Sequence, residues 1–194
     1  MINIILFGKP GAGKGTQAQF LKKRFNLKHI STGEIFRNNI KNETKLGVLA
    51  KSYIDNGDLV PDNVTIQMLK SEVQKSNNAN GFIFDGFPRT ISQAEVLDSF
   101  LESIKMEITA TISLEVKDTV LEERLINRGK LSGRSDDQDI DKIKNRFKEY
   151  NIKTSPLKNY YKSKNKLYAV SGIGSIDQIK NRLIDLMNQI KRYD

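Results

Sequence analysis

The chain has 194 residues, 38% of them hydrophobic and 28% charged, with a formal net charge of +9 at pH 7. That balance suits one globular domain and excludes disordered and membrane-spanning classes, because no apolar stretch is long enough to cross a bilayer. Cysteine is absent, which excludes disulfides, thiolate catalysis and cysteine-held zinc and agrees with a reducing compartment.

In chain order, the apolar run Ile2 to Phe7 predicts a buried strand. It has no positive flank and leads into a glycine loop instead of a cleavage site, so it reads as part of a cytoplasmic protein and not as a leader. Gly8, Gly11, Gly13 and Gly15 follow, and then Phe20, Leu21 and Phe25 at helical spacing. Residues 31 to 61 read as polar and helical, without a strand, and look inserted. Phe82 to Phe84 predict a short strand ending at Asp85, followed by Ala94, Leu97, Leu101 and Ile104 at three- and four-residue steps. Ile108, Ala110, Ile112 and Leu114 alternate with polar residues as in a strand. Thr119 and Glu122 offer a capping box to a helix carrying Arg124 and Arg128. Residues 129 to 138 read as a polar loop, a second insertion, in which Gly129 and Gly133 supply freedom or a tight turn. Leu167 to Val170 predict the last strand, and Ser175 with Gln178 cap a helix striped by Ile176, Ile179, Leu183, Met187 and Ile190.

Strands alternating with helices imply parallel pairing, because parallel neighbours need a crossover that covers the sheet. The expected fold class is α/β: a parallel core of about five strands with helices on both faces. The positive charge alone does not separate nucleic-acid or membrane binding from codon bias.

Gly8-Lys9-Pro10-Gly11-Ala12-Gly13-Lys14-Gly15-Thr16 lies between a predicted strand and a predicted helix, the context a phosphate-binding P-loop requires. Its glycines let backbone N–H groups turn inward, the helix N-terminus adds positive charge, and Lys14 reaches the outer phosphates. A glycine turn made for packing alone leaves Lys14 unexplained. Arg124 and Arg128 share one helical face, where like charges repel unless an anion intervenes; a solvated face balanced by Glu122 and Glu123 is the other reading. Asp85 closes a strand at the sheet edge where α/β proteins bind ligands and can hold a water of a Mg²⁺ shell, or cap a turn. Thr90 and Gln93 also fit a capping box.

Gly15 stands where the general motif has Ser or Thr, and the hydroxyl comes one place later at Thr16. In this the loop resembles the nucleoside monophosphate kinases. Ser31-Thr32-Gly33-Glu34 with Arg37, Asp85-Gly86-Phe87-Pro88-Arg89-Thr90 with Gln93, Arg124 with Arg128, Gly133-Arg134 with Asp136-Asp137, and Arg146 are similar to further signatures of that family, in order. The resemblance covers almost the whole chain.

It implies a single P-loop kinase domain over 1–194, with an AMP-binding insertion at 31–60 and a short lid at 127–137. It implies ATP held by Gly11, Ala12, Gly13, Lys14, Gly15, Thr16, Arg128 and the backbone near Gly174. AMP would be held by Thr32, Arg37, Asp58, Leu59, Val60, Gly86, Phe87, Pro88, Arg89 and Gln93, the last against adenine. Arg134 and Arg146 would bridge the two nucleotides, and Lys14, Arg89, Arg124, Arg128, Arg134 and Arg146 would carry the charge of phosphoryl transfer. Mg²⁺ would accompany ATP, through water on Asp85, and the short lid without cysteine implies no zinc. The expected partners are ATP, AMP and ADP, with no nucleic acid or membrane, for a monomer in the cytoplasm. Within the family, UMP/CMP kinases typically have Ala in place of Thr32 and Asn in place of Thr90, so both positions favour AMP. A non-catalytic basic nucleotide- or RNA-binding module is the reading from another class; it lacks any interleaving of aromatic and basic residues.

Overall fold

A computed structural model describes residues 1–76 and 78–193. In it Ile2–Phe7 forms β1, buried along its whole length. Side chains of a strand alternate between faces, so one apolar on both needs cover on both. Ile2, Ile4 and Leu6 enter one cluster with Ala18, Leu125 and Leu183. Ile5 and Phe7 enter another with Leu69, Leu97 and Tyr161.

The remaining elements follow as α1 (Lys14–Phe25), β2 (Lys28–Ser31), α2 (Thr32–Lys41), α3 (Lys45–Asn56), α4 (Asp62–Gln74), β3 (Gly81–Asp85), α5 (Ile91–Ser103), β4 (Ala110–Glu115) and α6 (Asp118–Ser132). A 3₁₀ turn at Ser135–Asp137 leads to α7 (Ile140–Glu149), a π-helical turn at Tyr150–Thr154, α8 (Leu157–Ser163), β5 (Leu167–Ser171) and α9 (Ile176–Tyr193). The five strands lie in the order β2-β3-β1-β4-β5, all parallel. From β1 the chain winds outward to β2 and back to β3, then crosses to β4 and β5. The winding thus reverses beside β1, and the crevice at its C-terminal end is where such sheets bind ligands.

The α/β class and the parallel sheet of five strands match the sequence reading. The strand whose position the sequence did not reveal is β2, four residues long at the sheet edge and paired with β3 from Lys28↔Phe82 to Ser31↔Asp85. Residues beyond Ser31 are helical as expected, and Phe36, Ala50, Val60 and Met68 give that segment an apolar cluster of its own.

Two local expectations need correction. Residues 129 to 138 are not all loop, since α6 continues to Ser132 and only then caps on Gly133, which has φ 66°. Gly129 is helical, and it is glycine because a Cβ there would stand 2.6 Å from the carbonyl oxygen of Asp137. The Thr119–Glu122 capping box does not form: α6 starts earlier, at Asp118, after Lys117 and without a side-chain cap. The Ser175–Gln178 box does form, with Gln178 N donating to Ser175 Oγ at 3.2 Å and Ser175 N donating to Gln178 Oε1 at 2.9 Å. None of the described helices is long and apolar enough to cross a membrane.

Candidate active site

The loop after β1 curls because Gly11 and Gly13 take φ of 85° and 94°, a region that side-chain-bearing residues avoid. Gly13 caps α1 without a side-chain bond, and no acidic residue stands in the first turn of that helix. The first backbone N–H groups and the positive end of the helix dipole therefore face an anion site with no carboxylate of the helix itself competing for it. Ala12 is buried, Gly15 half-buried and Thr16 exposed. Lys14 Nζ donates to the carbonyls of Gly8 at 2.7 Å and Lys9 at 3.2 Å, inside the curl. On the outer side, Lys9 Nζ pairs with both oxygens of Asp118 at 2.7 and 2.8 Å, fastening the loop to the base of α6.

A cavity of about 1050 Å³, its open mouth included, lies beside this loop, and Lys14, Arg37, Arg89 and Arg146 all reach it. Burial pushes the Lys14 ammonium down to about 8; Arg89, Arg146 and Arg128 add to that push and Asp85 opposes it. Burial likewise lowers Arg37 to about 10, with Arg134 and Arg128 contributing. Arg89 and Arg134 are also lowered, burial first and neighbouring arginines after it. A cluster whose members push one another toward the neutral form is short of negative charge, which a phosphate chain supplies.

Arg89 is held in place along its length. Its Nε donates to the Gly86 carbonyl at 2.7 Å, its N–H donates to Gln93 Oε1 at 2.7 Å, and its carbonyl accepts from Thr154 Oγ1 at 2.9 Å. The same cavity is lined by Thr32, Asp58, Leu59, Val60, Gly86, Phe87, Pro88 and Gln93. Thr32 Oγ1 donates to the Gly86 carbonyl at 2.9 Å, joining the start of α2 to the end of β3. Gln93 forms its expected cap on Thr90, N to Oγ1 at 3.2 Å, while its side chain still reaches the cavity.

Two arginines, Arg128 on α6 and Arg146 on α7, carry their own counter-ions. Arg128 grips Asp137 with Nε at 2.6 Å and Nη2 at 2.9 Å, and Arg146 pairs with Asp136 at 2.9 Å and also with Asp137. Burial tends to raise the Asp137 carboxyl, but the hydrogen bonds and charges of these two arginines outweigh it and hold the group below the usual range. The 3₁₀ turn also meets α3, with Ser135 Oγ donating to Asp55 Oδ1 at 2.7 Å. Asn145 Nδ2 donates to the Asn56 carbonyl and to Asp58 Oδ1, both at 3.0 Å.

Asp85 is buried at the end of β3, close to the first turn of α1, where a Cβ on Gly15 would stand 3.7 Å from Oδ2. Burial acts to raise its carboxyl, yet the contact with His29 at 3.4 Å and the charge of Lys14 keep it below the usual range. A buried carboxylate beside a phosphate loop fits Mg²⁺, which keeps most of its waters and leans on one or two carboxylates and on phosphate oxygens.

Besides Asp85 and the loop residues Gly11, Ala12, Gly13, Gly15 and Thr16, four expected residues lie outside the cavity lining: Arg124, Arg128, Arg134 and Gly174. Arg124 is one helical turn before Arg128, and its Nη2 donates to the Gly172 carbonyl at 3.1 Å. Gly174 is exposed beside Gln178 and Arg182, whereas Gly172 packs against the phosphate loop, where a Cβ would lie 3.5 Å from the Ala12 carbonyl oxygen. The sequence reading passed over Thr154, Gly172 and Asp62. Asp62 accepts from Gln93 Nε2 and Thr90 Oγ1, each at 2.7 Å. Its one sequence signal is an acid after Pro61 in the first turn of a helix, which also reads as simple dipole compensation.

A family model of adenylate kinases matches residues 6–166. The chain is 62% identical over 190 residues to an adenylate kinase of Flavobacterium psychrophilum and 58% identical over 190 residues to one of Flavobacterium johnsoniae, each time covering 98% of this chain and all of the relative. An adenylate kinase of Leptospira biflexa is 45% identical over 184 residues, 95% of this chain and 98% of that protein. Phosphate loop, cationic cavity and full-length likeness agree, and the chain belongs to the adenylate kinase family.

Proposed function

We propose that the chain transfers the terminal phosphoryl group of ATP reversibly to AMP, giving two ADP. The observation that carries this is the convergence of Lys14, Arg37, Arg89 and Arg146 on one cavity at the N-terminus of α1. Phosphoryl transfer runs through a loose transition state with charge spread over peripheral oxygens, so the protein's work is positioning and charge stabilisation. The loop N–H groups from Gly11 to Thr16 cradle the donor phosphates and Lys14 follows the outer ones. Arg37 and Arg89 hold the acceptor phosphate, with the acceptor base in the recess of Thr32, Leu59, Val60 and Gln93. Arg128, Arg134 and Arg146 close over the transferred group. Mg²⁺, held through water near Asp85, neutralises charge on the phosphate oxygens when bound. Segments 31–60 and 127–137 act as flaps that keep water from the transferred group. The cage is built from one chain, which supports a monomer, and we place it in the cytoplasm.

An acceptor series tests the function. With ATP and Mg²⁺, AMP is turned over far faster than CMP or UMP, and equal or better turnover with a pyrimidine monophosphate overturns the assignment.

Lys14 gives a second expected result. A polyphosphate stabilises its ammonium and raises it from about 8, so nucleotide binding takes up a proton at pH values just above that. Affinity for ATP therefore falls as pH rises through about 8. Titration calorimetry in two buffers of different ionisation heat reads the proton uptake directly, and buffer-independent heats contradict it.

A further inference from the structure

Asp62 and Gln93 form a unit whose hydrogen-bond polarity is fixed. Asp62 Oδ1 accepts from Gln93 Nε2 at 2.7 Å, and Oδ2 accepts from Thr90 Oγ1 at 2.7 Å. On the other side of the amide, Gln93 Oε1 accepts from the Arg89 N–H at 2.7 Å. A carboxylate only accepts and a backbone N–H only donates. Were the amide turned over, its oxygen would face the carboxylate and its nitrogen would face the N–H. Gln93 is buried, so neither mismatch is relieved by bulk water, and unmatched buried polar atoms are costly. The amide keeps one spare N–H and one spare lone pair, always on the same sides.

We propose that Asp62 is a specificity-determining residue that locks the Gln93 amide in one orientation, so that the acceptor site selects a base with an amino group over one with a carbonyl at the same ring position. This rests on the reading above that Gln93 meets the base of the acceptor monophosphate. Adenine offers an amino donor beside a ring-nitrogen acceptor, and Oε1 with Nε2 match that order. Hypoxanthine has nearly the same outline, but its carbonyl sets lone pairs against Oε1. Accommodating it requires the flip that Asp62 and Arg89 oppose. A site built to hydrogen-bond its substrate rejects a mismatched analogue far more strongly than an apolar pocket rejects a missing methylene. Cytosine shares the amino and ring-nitrogen order of adenine, so its exclusion belongs to the size of the recess and not to Asp62.

Steady-state turnover of AMP and inosine monophosphate by the wild type, Asp62→Ala, Asp62→Asn and Gln93→Ala tests the lock. The wild type prefers AMP by about a hundredfold or more in kcat/KM. Asp62→Ala cuts that preference by about tenfold or more, through the acceptor KM, while the KM for ATP is retained. Asp62→Asn, whose own amide can offer either polarity, falls between the two. A carboxylate that merely supports α4 and Thr90 costs both acceptors the same factor; an unmoved AMP-to-inosine monophosphate ratio in Asp62→Ala therefore overturns the lock. Gln93→Ala separates the layers: an unchanged KM for AMP in that variant removes the base from this place, and the lock with it. A raised KM there beside an unmoved ratio in Asp62→Ala removes the lock alone.

Discussion

Arg89→Ala lowers kcat by about a hundredfold or more, the scale on which loss of one preorganised charge-stabilising donor acts. The residue is fixed by three hydrogen bonds, Nε to Gly86, the N–H to Gln93 and the carbonyl to Thr154, and among the described residues its two terminal nitrogens are uncommitted. Little reorganisation is then needed when charge develops on the phosphoryl oxygens. Arg89→Lys is impaired as well, because an ammonium presents a point charge where a guanidinium presents a planar fork. A coupled assay at saturating ATP and AMP measures both, with circular dichroism to establish that the variants fold. Near-normal kcat in Arg89→Ala would place phosphoryl transfer elsewhere.

Asp137→Ala acts on stability. Its side chain is 0% exposed and is gripped by Arg128 and Arg146. Removing one partner of a buried ion pair leaves the other charge uncompensated, a loss of about 3–5 kcal/mol when both are buried. Arg128 is 36% exposed, so water offsets part of the loss, and about 2–3 kcal/mol is expected. Urea unfolding measures it, and an unchanged midpoint contradicts it. The pH dependence has a definite sign. The Asp85 and Asp137 carboxyls titrate below the usual range in the folded chain, so their stabilisation is complete above about pH 4 and is lost as pH falls through their folded values. Asp137→Ala, lacking one such group, loses less stability over that acid range than the wild type does.

The parts legible from sequence were those in which one physical demand dictates residue type over several positions. A strand buried on both faces must be a continuous apolar run, so β1 stood out, and a loop that turns its N–H groups inward must carry glycines, so the phosphate site stood out with it. β2 did not, because Lys28, His29, Ile30 and Ser31 have no apolar period and are placed only by pairing with β3. Gly129 misled because glycine in sequence signals turn freedom, whereas here it permits the approach of the Asp137 backbone to a helix. Thr32, Arg37, Val60, Arg89 and Gln93, which the motifs assign to AMP, meet at one cavity. Arg124, Arg128, Arg134 and Gly174 do not line it, since spacing puts a residue on a helical face or in a loop but does not fix which carbonyl or carboxylate its side chain finds. Asp62 and Thr154 act through neighbours brought close by folding, 31 and 65 residues away, and no local pattern records such pairs.

The tie between Lys9 and Asp118 gives α6 the mechanics of a lever. Its 15 residues span about 22 Å at about 1.5 Å per residue, with the fulcrum pinned to the phosphate loop and Arg128 and the 3₁₀ turn near the free tip. A tilt of about five degrees at the pinned end sweeps that tip through about 2 Å, enough to make or break the contact of Ser135 with Asp55. A small displacement at the phosphate loop is thus magnified at the contact between the 3₁₀ turn and α3.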